Sequence, residues 1–229
     1  MRLTPACRSI AAAEFAQLRS GARVLEIDRR GEKVLLTPDN YIIKLFYPRR
    51  RISSALFYPY AYRFWNNAKR LHARGIRTIH CEQLRHDKAN RRHIVIYPLL
   101  AGTTLRDCLT AGKCGADLLA KLAGFLACLH ARGVLFRSIH LGNVLVLEDG
   151  EFGLIDIADM QLRPWSLGLD KRARNFRHLL HDRRDREILR GYGYARFLSE
   201  YEIAAGLSGH RNRLLRALVG RYAPDFTSF

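Results

Sequence analysis

A chain of 229 residues with 48% hydrophobic content carries enough apolar sequence for one large domain or for two small lobes sharing a cleft, which excludes a disordered polypeptide. Its 39 Lys and Arg against 21 Asp and Glu leave a formal charge of +18. Such a molecule favours polyanions: nucleic acid, an anionic membrane surface, or a phosphate-rich substrate such as a nucleotide or a lipopolysaccharide, although a solvated basic surface with no single partner accounts for the charge equally well.

Residues 9 to 19 read as a short helix. Ala22 to Ile27, Lys33 to Thr37 and Tyr41 to Phe46 then read as strands separated by charged or Pro-Asp-Asn turns, giving a small antiparallel sheet. From Ser53 to Arg74, apolar or aromatic residues at Phe57, Tyr60, Phe64, Ala68 and Leu71 recur at steps of three and four, which predicts a helix. Pro59 is expected to start that helix or to kink what precedes it. Thr78 to Leu84 and Arg92 to Pro98 read as two further strands, the second continuously apolar and so buried.

After Leu99 helices take over: Thr103 to Leu109, then Gly115 to Arg132, whose apolar face carries Leu118, Leu119, Leu122, Phe125, Leu126 and Leu129. Val144 to Leu147 and Phe152 to Ile155 read as a hairpin closed by Glu148-Asp149-Gly150, because Asp-Gly suits the positive backbone angles of a tight turn. Residues 170 to 219 read as mainly helical and Arg-rich, broken at Gly191 to Gly193 and at Gly206 to Gly209. The five cysteines, at 7, 81, 108, 114 and 128, form no C-x-x-C pair, which implies a reducing cytosol. Glu14, Gln17 and Arg19 interrupt the N-terminal alanine run before an export-length apolar core forms. No stretch approaches the roughly 20 apolar residues that span a bilayer. The expected location is cytoplasmic, with peripheral attachment to the inner membrane left open.

The most informative stretch runs from Phe136 to Asp156, FRSIHLGNVLVLEDGEFGLID. Asn143 follows Ser138 by five residues (143 − 138) and Asp156 follows Asn143 by thirteen (156 − 143). An amide oxygen and a carboxylate suit a hard cation such as Mg²⁺. A serine hydroxyl does not act as a base near neutrality without a second group to take its proton, whereas the imidazole of His140 can take one. The bland alternatives are that Asn143 caps a turn and that Asp156 pairs with an arginine. Asp159 suits capping of the next helix better than metal contact. The run Pro48 to Ile52 with the aromatics Phe57, Tyr58, Tyr60, Tyr62, Phe64 and Trp65 fits either lipid headgroups, RNA bases or packing between helix and sheet, with packing the simpler account. The arginines between Asp170 and Arg190 fit either a phosphorylated sugar or a solvated helix face.

The spacing of Phe136, Arg137, Ser138, Asn143 and Asp156 resembles the protein-kinase pattern H-R-D-x-x-x-x-N followed by D-F-G, with Ser138 in the slot of the first Asp and Ile157-Ala158 after the second. LHARGVLFRSIHLGNVLV resembles the L-H-x-x-G-V…D-x-H-x-x-N-V-L line of aminoglycoside and sugar kinases. Lys44 in YIIKLF stands where the third strand of that family carries its phosphate-binding lysine, and Tyr97-Pro-Leu-Leu-Ala-Gly-Thr-Thr-Leu105 resembles its hinge. Over roughly residues 20 to 220 the chain thus resembles the protein-kinase-like fold, in particular the small bacterial branch of lipopolysaccharide core (Kdo/heptose) kinases and toluene-tolerance proteins.

The resemblance implies an α+β, two-lobed kinase-like domain: a small antiparallel-sheet N-lobe with one long helix over 1–98 and a helical C-lobe over 99–229. It implies ATP and Mg²⁺ as cofactors, nucleotide contacts from Lys44, Tyr97 and Leu99, metal contacts from Asn143 and Asp156, and an acceptor site lined by Ser138 and His140. Two departures stand out. Arg51 to Cys81 holds no acidic residue, so Lys44 lacks the family's helix Glu, leaving Asn66, Asn67, Glu82 and Glu26 as candidate partners. Only Gly31 lies between the first two strands, so the Gly-rich phosphate loop is missing.

Two functions follow as expectations. The first is a kinase-like phosphotransferase acting on a lipopolysaccharide core sugar hydroxyl, slowed by Ser138, since losing a general base typically forfeits about 10²- to 10⁴-fold. The second is a pseudokinase, a binding or scaffolding module of envelope stress or solvent tolerance. A third, an RNA-associated kinase-like protein, rests on charge alone.

Overall fold

Short apolar strands punctuated by charged turns build the first part of the molecule, in a computed structural model that describes residues 5–48, 58–112 and 117–227. The chain divides into two units, residues 1–101 and 102–229. The first contains β1 (Cys7–Ser9), α1 (Ala12–Arg19), β2 (Arg23–Asp28), β3 (Gly31–Leu36), β4 (Tyr41–Phe46), α2 (Tyr60–His72), β5 (Arg77–Thr78), β6 (Gln83–Asp87) and β7 (Arg92–Pro98). Six of these strands form one sheet in the order β1-β6-β7-β4-β3-β2.

The three strands expected to pair antiparallel, β2, β3 and β4, do so. Two expectations change, and one strand is added: β1 joins the sheet parallel to β6, with Cys7 opposite Leu84. The segment 9–19 is therefore strand first and helix second: the Ile10 N–H donates to the His86 carbonyl at 3.2 Å, and α1 begins only at Ala12. The strand expected over 78–84 splits into β5 and β6, since the Ile79 carbonyl between them bonds the His72 ring at 3.1 Å instead of a neighbouring strand. Helix α2 begins at Tyr60, after Pro59, whose carbonyl accepts the Tyr62 and Arg63 N–H groups; a proline suits this place because it has no N–H to leave unpaired. The part of the expected helix before Tyr58, and the arginines at 49–51, lie outside the described residues.

Strand alternation sorts β4 into two faces. Ile43 and Leu45 join Ile10, Leu35, Ile94 and Ile96 in a buried cluster, against which Tyr41 and the α1 residues Phe15 and Leu18 pack. Lys44 and Phe46 point the other way, where the Phe64 ring of α2 lies 5.3 Å from Phe46 and 5.6 Å from Tyr97. Phe64 and Trp65 are buried, so these two aromatics serve packing.

The second unit contains β8 (Thr103–Thr104), α3 (Leu105–Thr110), α4 (Asp117–Ala131), β9 (Val134–Phe136), β10 (Val144–Val146), β11 (Phe152–Leu154), β12 (Met160–Leu162), α5 (Leu169–Leu179), α6 (Arg183–Tyr192), α7 (Tyr194–Ala204) and α8 (Gly209–Tyr222). Helix α3 starts two residues later than the sequence suggests. Thr104 is extended, and its hydroxyl accepts the Asp107 N–H at 3.1 Å, a side-chain cap that satisfies one of the orphan donors of the first turn. In α4, Leu119, Leu122, Leu126 and Leu129 are buried at steps of three and four. Each such leucine contributes roughly 1.5–3 kcal/mol by leaving water. Perpendicular rings seal the other side: Phe176 of α5 lies 5.0 Å from Tyr201 of α7 and 5.1 Å from Phe226.

Strands β10 and β11 form the expected hairpin, Val144 opposite Leu154 and Val146 opposite Phe152, and β8 extends it. A second ladder, β9 with β12, sets Phe136 opposite Met160. These two ladders hold both ends of the segment from Phe136 to Met160.

Candidate functional site

The segment between β9 and β10 is pinned residue by residue. At its start, the Phe136 carbonyl accepts from the side-chain amide of buried Asn175 at 2.7 Å and from the Ile139 N–H at 3.3 Å. Arg137 donates its N–H to the Asp159 carbonyl and ion-pairs with the Asp159 carboxylate. Asp159, just before β12, thus fastens the two ends of the longer stretch from Phe136 to Met160 together, and the expectation that it caps a helix is corrected.

Ser138, His140 and Asn143 lie on this segment, and Asp156 is brought beside it just after β11. The Asn143 amide nitrogen donates to the Ser138 carbonyl at 2.8 Å, its backbone N–H to the His140 carbonyl at 2.9 Å, and its own carbonyl accepts the Ile155 N–H at 3.1 Å. Asn143 is buried and Asp156, directly after Ile155, is half-buried. With its nitrogen committed to the loop, the Asn143 side chain has its oxygen left to offer. Asp156 adopts φ of 50°, the left-handed region that an L-residue enters at a penalty of roughly 1–2 kcal/mol. An amide oxygen and a carboxylate of this kind fit a hard divalent ion that keeps further oxygen ligands from water or phosphate. Among the described residues no group of three or more His, Cys, Asp or Glu could hold a metal by itself.

His140 is braced from a direction the sequence does not reveal. Its Nδ1 lies 3.4 Å from Nη2 of Arg106 in α3. Arg106 donates to both oxygens of Asp185, at 2.6 and 3.0 Å, and pairs with Asp182 at 2.9 Å. Asp185 is fully buried, and its Oδ2 also accepts the Leu141 N–H at 2.7 Å. Burial first and Arg106 second hold the His140 ring below the ordinary imidazole pKa, against the opposing pull of Asp185, Asp156 and Asp182. Sequence reasoning missed Arg106, Asp182, Asp185 and Asn175; Arg106 and Asp185 stand 79 residues apart, and no motif links them.

The remaining predicted residues belong to the first unit. Lys44 is only 5% exposed, opposite Val34 and Val95 in the sheet, with Nζ 5.3 Å from the Phe64 ring centroid. That burial rules out a lysine snorkelling to the surface. Tyr97 is buried opposite Ile42, and Leu99, 41% exposed, donates its N–H to the Asn40 carbonyl at 2.8 Å. Of the suggested partners for Lys44, Glu26 pairs with Lys33 and Asn66 donates to the Tyr58 hydroxyl. Glu82 sits beside the Tyr41 hydroxyl and raises its pKa; Tyr41 lies on the sheet face opposite Lys44.

No protein-family model matches the chain, and no curated protein matches it in sequence. Solved structures similar to it include the bifunctional kinase-methyltransferase WbdD, with 18% identity over 82% of this chain and 46% of that one and a TM-score of 0.48. Monomeric WbdD gives 17% identity, 92% and 47% coverage and a TM-score of 0.49. A divergent kinase lacking the glycine-rich loop, which regulates membrane ultrastructure of the Toxoplasma parasitophorous vacuole, gives 18% identity, 91% and 74% coverage and a TM-score of 0.43. The chain spans about half the length of WbdD. It is an α+β protein whose structural neighbours are kinases or divergent kinases.

Proposed function

We propose that the chain is a kinase-like phosphotransferase that takes ATP with Mg²⁺ and transfers phosphate to an alcohol, with a lipopolysaccharide core sugar hydroxyl as the acceptor. The observation that carries this reading is that Asn143 and Asp156 flank one hairpin, joined at its base by the Ile155 N–H and the Asn143 carbonyl, with the Asn143 amide nitrogen committed to the Ser138 carbonyl. In this reading Asn143 and Asp156 hold the metal, and buried Lys44, with Tyr97 and Leu99, contacts the nucleotide. The metal, once bound, neutralises phosphate charge; positioning and electrostatics carry most of phosphoryl transfer, so a chain without a catalytic Asp still supports a slow reaction. Ser138 and His140 line the acceptor site. The net charge of +18 suits a phosphorylated glycolipid and peripheral attachment to an anionic cytoplasmic leaflet. Among the described residues no helix is long and apolar enough to cross a membrane.

One second reading has a specific basis. Ser138 in the base position and the absence of acidic residues from Arg51 to Cys81 favour a pseudokinase that binds nucleotide and scaffolds partners in envelope stress or solvent tolerance. Both readings require the same premise, tested by melting the protein with and without ATP and Mg²⁺. Ligand at about 100 times Kd stabilises the folded state by roughly 2.7 kcal/mol, a clear rise in Tm, and Asp156→Ala should abolish it. No rise in the wild type sinks both readings. Phosphate transfer to core oligosaccharide, lost in Asp156→Ala, separates the enzyme from the scaffold. Strong, salt-dependent tRNA affinity would instead favour the RNA-associated reading.

A further inference from the structure

We propose that Arg106 is a positioning residue that fixes His140 as the neutral ring protonated on Nε2, so that His140 meets an approaching oxygen as a hydrogen-bond donor and not as a proton acceptor. The use made of that donor rests on the phosphotransfer reading; the assignment of the proton rests on geometry alone.

A guanidinium has five N–H donors and no lone pair to offer. At 3.4 Å from Arg106 Nη2, the Nδ1 of His140 must therefore be the accepting nitrogen. A neutral imidazole carries one proton, which leaves Nε2–H. For Nε2 to act as a base, the proton would have to move to Nδ1, where two N–H groups would then face each other.

Arg106 has little freedom to turn away. Asp185 holds it through two oxygens and Asp182 through a third contact at 2.9 Å. Asp185 is fully buried and simultaneously takes the Leu141 N–H at 2.7 Å, so one carboxylate ties the guanidinium to the loop that carries the ring. Removing Arg106 would leave the fully buried Asp185 carboxylate without its countercharge. Gly142 completes the arrangement: a Cβ there would lie 2.9 Å from Arg106 Nη1 and 3.2 Å from His140 Nδ1, so a side chain at this position would push the guanidinium away from the ring. The structure thus gives His140 a defined chemical role that differs from a surrogate for the carboxylate missing at Ser138.

The test is a long-range ¹H–¹⁵N correlation spectrum of the full chain labelled in its nine histidine rings, recorded at about pH 8, where an ordinary imidazole is neutral. His140→Gln identifies the resonances by their loss. The expected pattern for His140 is a protonated-type Nε2 and a lone-pair-type Nδ1. In Arg106→Met, which keeps length but has no donor, that pattern should collapse toward a mixture of the two forms, and Arg106→Lys, which keeps a donor, should restore it. A wild-type ring protonated on Nδ1 overturns the proposal, as does an unchanged pattern in a folded Arg106→Met. If Arg106→Met does not fold, the wild-type spectrum decides by itself. No nucleotide is present in these samples, so a failure here is distinct from a failure of the Asp156→Ala melting experiment.

Discussion

His130 shows how a single buried side chain reaches the candidate site. It is fully enclosed, with Nδ1 2.7 Å from the Tyr201 hydroxyl and Nε2 3.0 Å from Asn175 Oδ1, and the same Asn175 donates to the Phe136 carbonyl. Arg172, also buried, donates to the Tyr201 hydroxyl at 3.3 Å, so a chain of hydrogen bonds runs from α5 and α7 through α4 to the start of the candidate loop. Burial pushes the His130 pKa down to about 3, with Arg172 adding to the effect and Asn175 opposing it. The unfolded chain takes up this proton near the ordinary 6.5, and the folded protein only near 3. Between those values the unfolded state binds more protons, so the stabilisation is complete above about 6.5 and falls by roughly 1.4 kcal/mol per pH unit on acidification. His93, His140 and His178 are lowered as well and add to the slope. Urea midpoints at about pH 7 and pH 5 should therefore differ markedly, and His130→Gln should remove about one proton's share of the difference. An unchanged slope in that variant refutes the assignment.

At the scale of elements, two glycines with similar backbone angles separate strain from crowding. Gly133, between α4 and β9, has φ of +74°, and a Cβ there would sit 2.4 Å from the carbonyl oxygens of both Arg163 and Trp165. Gly150, in the β10–β11 turn, has φ of +77° and open space around it. Gly150→Ala should therefore show only the left-handed penalty, roughly 1–2 kcal/mol. Gly133→Ala should lose at least about 2 kcal/mol more, because the chain leading out of β12 must move off β9. Chemical denaturation of the two variants gives the difference directly; equal losses would contradict the crowding. The Gly150 turn was legible from Asp149-Gly150, and with it the placement of Asn143 and Asp156 on either side of one hairpin. The β9–β12 ladder was not, since three-residue strands leave no alternation to detect. The break at residues 180–182 was also hidden, because it contains neither Gly nor Pro and ends on Asp182, which caps α6 by accepting the Arg184 N–H at 2.9 Å. The Arg106 brace was illegible for another reason: charged pairs formed across long sequence separations leave no periodic trace, and an Arg-rich chain offers too many equivalent choices.

For the whole molecule, the excess of 39 basic over 21 acidic residues outlasts the ion pairs that bury some of it, such as Arg92 with Asp87 and Arg216 with Glu202. Binding to vesicles containing anionic lipid should weaken steeply as salt rises, because charges further apart than the Debye length, about 10 Å at 0.1 M, cease to attract. Co-sedimentation that is indifferent to salt would argue against an electrostatic membrane contact. The order in which this fold can assemble follows from the placement of β1 and α1. Residues 7–19 are synthesised before their partners, since β1 pairs with β6, more than seventy positions onward, where Cys7 meets Leu84. Closing so wide a loop is slow, and until it happens Ile10, Phe15 and Leu18 have no Ile94 or Ile96 to settle against. A nascent chain therefore holds this greasy segment without its partners until β6 and β7 have emerged, a natural client for a chaperone that grips short apolar stretches.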